Sequence, residues 1–231
     1  MIIEAERHNY LDNENDFWTV NKNTVLLGLI KDKKNVLEIG CGKATFLREL
    51  AKKGIQCEGI DFSKNCLAAA KEICRGYNVN LFYGDFMEYH FDKKYDCIVL
   101  SGVIEHIADD KLCLLKVKDL LVAGGQIVLL TSAHPFLYSC FDRVVNHYRR
   151  YSKRQLLKLL RSAGLSLKSI RYWDMLAFPY LLLVRLFERI LLNEAELNKM
   201  SQNRIFMWWF RHFENRLSFP LGVNLIAVAK K

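Results

Sequence analysis

Proline is scarce in this sequence, and no segment has a simple or repetitive composition. Only three of the 231 residues are proline, and no internal repeat is present. Long flexible linkers and repeat architectures are therefore not expected, because linkers have a biased composition and repeats have a fixed sequence period. The length suits one domain, and a hydrophobic share of 51% is enough for a core. We predict a single domain over residues 1–231.

The sequence also lacks a long hydrophobic run and any pairing pattern of cysteines. The longest uninterrupted apolar run, Met175–Val184, has about half of the roughly 20 residues that a bilayer requires. The acidic N-terminus has no apolar core of the kind found in signal peptides. The seven cysteines are an odd number without a CxxC pair, so we expect reduced thiols rather than disulfides or zinc ligands. These absences indicate a cytoplasmic protein.

Positive charge is concentrated in the last third of the chain. Residues 1–150 contain 20 basic and 20 acidic side chains, whereas residues 151–231 contain 14 and 5. The last third therefore carries the whole net charge of +9, and we expect it to face a different partner from the rest of the chain.

Short apolar runs that end in turn residues alternate with amphipathic segments. This alternation predicts an α/β fold with a parallel sheet covered on both faces. The runs that predict strands are 35–40, 56–61, 95–101, 126–132, 165–173 and 224–231, with a further strand before Gly84. Helices are predicted over 43–53, after Ser63 as far as Gly76, from Asp109 as far as Gly124, and after Ser152 as far as Gly164.

The stretch VLEIGCGKATFL, residues 36–47, leads from a predicted strand into a glycine turn. Such a turn places backbone N–H groups and a helix N-terminus at the sheet edge where open α/β sheets bind ligands. A dinucleotide site would have its third glycine where Thr45 stands. Glu38, two residues before Gly40, is a poor neighbour for a pyrophosphate but a good acceptor for an ammonium group. The turn therefore suits a nucleoside with a zwitterionic tail.

Two further acidic residues follow predicted strands. Asp61 lies 21 residues past Gly40, where a carboxylate can accept hydrogen bonds from both ribose hydroxyls of a nucleotide. NAD sites share this feature, so Asp61 alone does not discriminate between cofactors. Asp85 follows Gly84 and could accept from the exocyclic amine of an adenine, with Phe86 beside the ring.

In order and spacing, the segments VLEIGCG, GIDFS, GDF and YDCIVLSGVIEHI resemble those of class I S-adenosylmethionine-dependent methyltransferases. The resemblance covers residues 34–135 and extends more loosely past residue 150. It implies a three-layer sandwich around a seven-stranded, mostly parallel sheet whose last strand is antiparallel. It also implies S-adenosylmethionine as cofactor and S-adenosylhomocysteine as product. The cofactor residues that it implies are Glu38, Gly40 and Gly42 for the methionine part, Asp61 for the ribose, Asp85 with Phe86 for the adenine, and Ser101 with Gly102 beside the sulfonium. Phe62, next to Asp61, is also expected to contact the cofactor.

The sequence departs from the family's pattern at Lys43 and Ala44, where a small residue and a third glycine are usual. Alanine costs little at such a position unless the backbone needs a positive φ. We therefore expect cofactor binding to survive this departure.

Methyl transfer needs proximity, alignment and, where the acceptor carries a proton, a base. The catalytic candidates are Glu105 and His106 in GVIEHI, and His147 in NHYRRYS. A packing role is the alternative for His106, and a solvated loop is the alternative for residues 146–152. No third ligand accompanies Glu105 and His106, so no metal site is expected. The candidates for substrate contact are His134, Arg149 and Tyr151.

Residues 176–219, rich in Leu, Phe, Trp and Arg, do not fit the alternating pattern. We predict a helical insertion before the last strand. It would be a lid packed on the domain, a dimer interface, or an element that touches a membrane or a lipid-bearing substrate, since basic residues with Trp and Phe suit that boundary. Nucleic acid is not an expected partner, because no recognised binding module is present.

The predicted function is methyl transfer from S-adenosylmethionine to a small-molecule or lipid-linked acceptor, with oxygen favoured over nitrogen or carbon. The protein would be cytoplasmic, and peripheral contact with the inner membrane face and homodimerisation both stay open. One alternative is an NAD- or nucleotide-sugar-dependent Rossmann enzyme, which Glu38 and the absent third glycine disfavour. The other is a non-catalytic, membrane-associating module that keeps the fold.

Overall fold

The computed structural model describes residues 16–30, 32–186 and 208–231, arranged around one seven-stranded sheet with the order β3-β2-β1-β4-β5-β7-β6. The strands are β1 (Asn35–Ile39), β2 (Gln56–Asp61), β3 (Val79–Tyr83), β4 (Tyr95–Ser101), β5 (Leu121–Ser132), β6 (Ser166–Trp173) and β7 (Asn224–Lys230). The first five strands pair in parallel, and β7 lies antiparallel between β5 and β6. The predicted sheet with its antiparallel last strand is confirmed.

Helices cover both faces of this sheet. They are α1 (Phe17–Leu29), α2 (Thr45–Ala51), α3 (Lys64–Ile73), α4 (Asp110–Leu120), α5 (Cys140–Val144), α6 (Lys153–Ser162) and α7 (Ala177–Leu186). Because side chains alternate across a strand, Leu37 packs with α4 and α6 in one buried cluster, whereas Val36 packs with α1, α2 and α3 in another. The result is the three-layer arrangement that the sequence predicts.

Two of the predicted helix starts have the expected caps. The Ser63 side chain accepts from the backbone N–H of Cys66 at the start of α3. At the start of α6, Ser152 and Gln155 form a reciprocal capping box. Each cap satisfies backbone donors that have no partner inside the helix.

The predicted helix that reached Gly124 is wrong at its C-terminal end. Helix α4 ends at Leu120, and β5 begins at Leu121, three residues before the first glycine. Leu121 is buried and pairs with Tyr95 at the start of β4. A shift of register after Tyr95 accommodates the glycine pair before regular pairing resumes. Tertiary pairing therefore overrides the helix-like pattern of this segment.

Ala44 occupies a left-handed backbone position. It is the N-cap residue of α2 with φ of 58°, and it is fully buried. A residue with a Cβ in this conformation costs roughly 1–2 kcal/mol relative to ordinary helical backbone. The departure from a third glycine thus carries a conformational cost, which packing of the turn must offset.

The predicted insertion, residues 176–219, is described only in part. Helix α7 and a short π-helical turn, Phe210–Glu214, fall within it, and residues 187–207 lie outside the described residues. None of the helices that the structure describes is long and apolar enough to span a bilayer. The role of this segment as lid, interface or membrane element stays a prediction.

A pair of buried acidic residues joins β6 to the π-helical turn. Asp174 is 6% exposed with φ of 65°, and Glu214 is fully buried. The carboxylate of Glu214 accepts from the backbone N–H of Met175 and from the indole N–H of Trp209. Burial and the neighbouring Glu214 raise the pKa of Asp174 to about 7, although hydrogen bonds from Ala177 and Trp18 oppose the shift.

This raised pKa predicts that the protein loses stability as the pH rises toward neutrality. In the unfolded chain Asp174 ionises near pH 4, whereas the folded protein holds its proton up to about pH 7. Stability is therefore fully present below pH 4 and is lost as the pH rises through 7, by on the order of 2–4 kcal/mol. Asp174→Asn, which suits a positive φ, should flatten this slope in chemical unfolding between pH 5 and 8. Asn at the exposed Asp92 is the control, and equal slopes for the two variants would contradict the assignment.

Candidate functional site

A cleft of about 850 Å³ opens at the carboxyl edge of the sheet. Residues that follow β1, β2, β3 and β4 form one part of its lining, and the segment 138–148, which follows β5, forms another. The predicted residues that line it are Gly40, Gly42, Asp61, Phe62, Asp85, Phe86, Gly102, Glu105, His106 and His147. The fold therefore brings most of the predicted cofactor and catalytic residues to one place.

The glycine turn needs glycine for two different reasons. Gly40 has φ of 66°, and a Cβ there would lie 2.5 Å from Cγ2 of Val103, a cleft residue. Gly42 has φ of 51°, and its backbone N–H donates to Oδ2 of Asp61 at 2.7 Å. The first position thus requires close approach, and both require left-handed backbone.

Asp61 ties the glycine turn to the start of α3. While Oδ2 accepts from Gly42, Oδ1 accepts from the backbone N–H of Ser63 at 2.8 Å. The side chain is 8% exposed and lines the cleft. Both oxygens of this carboxylate therefore hold backbone groups at the edge of the cleft.

The two aromatic residues predicted to contact the cofactor, Phe62 and Phe86, differ in how accessible they are. Phe62 is 59% exposed, whereas Phe86 is buried in the core with Lys116 Nζ 5.1 Å from the centre of its ring. Asp85 is exposed, and its Oδ1 accepts from the backbone N–H of Met87 at 2.7 Å. Phe62 is thus the aromatic ring of this pair that offers a free face.

Glu38 and Ser101 are not among the residues that line the cleft. Glu38 is buried in β1, in register with Gly59 of β2 and Val99 of β4. Ser101 ends β4 next to Gly102, and its buried Oγ has no hydrogen-bond partner among the described residues.

His147 lies in the cleft with its ring held on two sides. Its Nδ1 is 2.8 Å from Oδ1 of Asp142, a fully buried carboxylate. The ring of His106 packs edge-on against it, with centroids 4.5 Å apart. Tyr138 donates from its hydroxyl to the backbone carbonyl of His147. The structure thus places a restrained imidazole in the lining of the same cleft as the predicted cofactor residues.

Glu105 serves as an anchor in this structure. Its buried carboxylate accepts from Thr131 Oγ1 at 2.8 Å and from both the backbone N–H and the Oγ of Ser132 at 3.2 Å. Its backbone carbonyl accepts from the N–H of Tyr148. Glu105 therefore joins the turn after β4, the end of β5 and the segment that carries His147.

The three predicted substrate residues do not line the cleft. His134 stacks on Tyr172, with ring centroids 4.7 Å apart, and burial lowers the pKa of its imidazole. Arg149 forms an ion pair with Asp110 at 2.7 Å, and the Tyr151 hydroxyl donates to the same carboxylate at 2.8 Å. Burial, with Asp110, raises the pKa of the Tyr151 hydroxyl. Each of these side chains has a packing role, so we leave all three out of the proposed site.

The profile of a methyltransferase domain family matches residues 13–170, which is well over half of the chain. The chain belongs to this family. Together with the fold, the match shows a class I S-adenosylmethionine-dependent methyltransferase.

Relatives of this methyltransferase include enzymes named for quinone chemistry. The chain is 28% identical to a demethylmenaquinone methyltransferase of Bacillus velezensis over 47% of its own length and 50% of the relative's. It is 24% identical to a ubiquinone biosynthesis O-methyltransferase of Pseudomonas aeruginosa over 87% of its own length and 94% of the relative's. The matched part of the chain thus spans about half the length of the relative from Bacillus velezensis.

Solved structures of methyltransferases share the fold. One, from Clostridium acetobutylicum, has a TM-score of 0.64 and 12% identity, with 91% of each chain covered. Another is phosphoethanolamine N-methyltransferase 2 of Haemonchus contortus with S-adenosylmethionine bound, at a TM-score of 0.63 and 22% identity, covering 91% of this chain and 52% of that one.

The cleft of this methyltransferase fits S-adenosylmethionine. We propose that the glycine turn approaches the methionine part, that Asp61 accepts from the ribose hydroxyls, and that the exposed face of Phe62 lies on the adenine. The cleft volume of about 850 Å³, the exposed ring of Phe62 and the left-handed glycines of the turn are the observations that favour a cofactor at this edge.

Sequence reasoning missed Asp142, Arg150, Tyr138 and Trp18. Asp142 lies three residues after Ser139, and this S-x-x-D spacing forms a capping box for α5. The spacing could have predicted the cap, but it gives no indication that Asp142 also contacts His147. Trp18 also lines the cleft, although it lies on α1, which precedes the glycine turn in the sequence. No local pattern places it there.

Asp61→Ala should weaken binding of S-adenosylhomocysteine by about 1.5–3 kcal/mol, as for other charged hydrogen bonds. The variant loses both the proposed ribose contact and the anchor of the glycine turn. Isothermal titration calorimetry measures this affinity directly. Asp96→Ala is a matched control, because Asp96 also accepts from backbone N–H groups, those of Lys34 and Asn35, at the amino end of the sheet. Equal affinities of the two variants would refute the role of Asp61.

Proposed function

We propose that this methyltransferase methylates a hydroxyl oxygen on a ring-bearing, lipid-linked acceptor. The observation that carries this proposal is the imidazole of His147, which lies in the cleft and has its Nδ1 on a buried carboxylate. A base placed in this way is useful for a hydroxyl acceptor, which must lose a proton as it is methylated. An acceptor atom that need not lose a proton before methylation would not require this base.

The aromatic lining supports an acceptor with a planar ring. Trp18, Tyr138, Phe141 and Tyr148 all line the cleft, and Tyr148 is 60% exposed. Aromatic pairs favour stacked or edge-on contacts, which hold a flat ring in a defined orientation. Alignment of this kind is the main requirement of a displacement reaction.

In the proposed step the residues of the chain position the acceptor and receive its proton. His147 takes the proton of the acceptor hydroxyl on Nε2 while Asp142 holds Nδ1. When bound, S-adenosylmethionine supplies the sulfonium methyl group and leaves as S-adenosylhomocysteine. The acceptor oxygen forms a bond to the methyl carbon as the bond between that carbon and sulfur breaks. The proton lost from the hydroxyl stays on His147.

The relatives support a lipid-linked ring as acceptor. Two kinds among them are named as demethylmenaquinone methyltransferases and ubiquinone biosynthesis O-methyltransferases. Quinones of these kinds carry a ring on an apolar tail, which is the class of molecule that the aromatic cleft would accept.

His147→Gln should lower turnover by roughly 10²–10⁴-fold and leave the affinity for S-adenosylhomocysteine unchanged. The acceptors to test are an alkyl catechol and the alkyl phenylenediamine with the same ring and tail, with labelled S-adenosylmethionine and identification of products by mass. We expect transfer to the catechol oxygen. His90→Gln is the control, because His90 is exposed and outside the cleft. Preferred methylation of the amine, or full turnover by His147→Gln, would overturn the proposal.

Helix α7 supports contact with a lipid surface. Among its ten residues only Val184 is buried, while Leu183 is 48% and Leu186 is 65% exposed. Trp208, after residues 187–207, is 55% exposed. Apolar side chains with basic neighbours suit the boundary between lipid and water, and the last third of the chain carries the excess of basic residues.

The membrane part of the proposal predicts that the protein sediments with phosphatidylglycerol vesicles at low salt. Replacing Leu183 and Leu186 together by Glu should lower the partition coefficient more than about tenfold, since each buried leucine contributes roughly 1.5–3 kcal/mol. The same double change at the exposed Leu112 and Leu115 of α4 is the control. A wild-type protein that does not sediment would instead favour a lid or a dimer interface.

A further inference from the structure

We propose that Asp142 is a positioning residue for methyl transfer, which fixes the tautomer and orientation of His147. This inference rests on the proposed function, since it assigns a partner to the base. Nothing in the motifs of the family or in the sequence pattern around residue 142 indicates this contact.

Asp142 divides its hydrogen bonds between two tasks. Its Oδ2 accepts from the backbone N–H of Ser139 at 2.9 Å, which caps α5. Its Oδ1 accepts from Nδ1 of His147 at 2.8 Å. Because the cap uses Oδ2, the bond to His147 is additional to what the short helix needs.

The contact with Oδ1 decides which ring nitrogen is basic. A carboxylate only accepts hydrogen bonds, so Nδ1 of His147 must carry a proton to bond with it. The lone pair of the neutral ring then lies on Nε2. Without this partner both tautomers would be populated, and the fraction of molecules with a basic Nε2 would fall.

Arg150 keeps this carboxylate ionised. Its Nε lies 2.8 and 2.9 Å from the two oxygens of Asp142, and its side chain is buried. Burial raises the pKa of Asp142, but the hydrogen bonds from His147 and Arg150 outweigh it and hold the pKa below its ordinary value. The acceptor at Nδ1 therefore stays an anion while His147 gains and loses its proton.

The backbone also restrains His147 relative to Asp142. The N–H of His147 donates to the carbonyl of Asp142 at 2.8 Å. Two hydrogen bonds thus join the residues, one between their side chains and one between their main chains. The ring can still exchange protons, but it has little freedom to rotate away from the cleft.

The first measurement is made on the wild-type protein, and a variant serves only to assign the signal. Imidazole nitrogen chemical shifts of the protein labelled with ¹⁵N-histidine report the tautomer of each of the six histidines, and loss of one signal in His147→Gln assigns this ring. We expect the neutral ring of His147 to carry its proton on Nδ1. A proton on Nε2 would overturn the proposal, whether or not His147 proves to be a base.

The kinetic test is Asp142→Asn, alone and combined with His147→Gln. The single change should lower kcat by roughly 10²–10⁴-fold with little change in KM, as expected when a base loses its orienting partner. In the His147→Gln background the same change should have almost no further effect, since residues that act as one unit are not additive.

Ser139→Ala is the matched control, because it removes part of the cap and leaves the Asp142–His147 contact in place. It should keep kcat within about twofold of wild type. If Asp142→Asn lowers kcat by the same factor with and without His147, or if Ser139→Ala reproduces its effect, Asp142 acts through the fold and the inference fails. If His147→Gln is fully active while the Nδ1 proton is observed, the positioning contact stands and the proposed function fails.

Discussion

The hydrogen bonds that Asp61 accepts from the backbone N–H groups of Gly42 and Ser63 hold together three parts of this molecule. They join the glycine turn after β1, the end of β2 and the start of α3. The two strands already meet in parallel register, and the carboxylate extends that pairing past their ends. The cleft at this edge exists because the chain leaves the sheet in fixed directions. A bound nucleoside would then find its donors and acceptors already in place, which lowers the entropy cost of binding.

A second network builds the other wall of the cleft. Glu105 binds the end of β5 and accepts the N–H of Tyr148, while Asp142 binds His147 and Arg150. Each carboxylate is buried and has several donors, so neither represents an uncompensated charge. The segment between β5 and α6 is thereby held against the sheet, and its His147 lines the same cleft as the predicted cofactor residues. Buried polar networks of this kind specify one arrangement when every group is satisfied.

Much of the fold could be predicted, because strand ends and helix caps are local features. The strands that end at Asp61 and Ser101 and the caps at Ser63 and Ser152 follow from patterns a few residues long. Failures occurred where distant pairing decided the outcome. The start of β5 at Leu121 depends on Tyr95, which lies on another strand. His147 could be named as a candidate from its neighbours, but its carboxylate partner Asp142 could not, because only the folded segment brings the two side chains together.

The sequence by itself determined the family, the order of the strands along the chain and the place of the glycine turn, because each of these depends on residues close together in the chain. Only the tertiary structure decided which polar residues after β5 face the cleft. Arg149 and Tyr151 bind Asp110, and His134 stacks on Tyr172, so that these candidates are used in packing. His147 is separated from Arg149 by one residue, yet it lines the cleft. The difference arises because the buried Asp142 fixes the direction of one side chain, and a partner of that kind is chosen by three-dimensional contact rather than by sequence spacing.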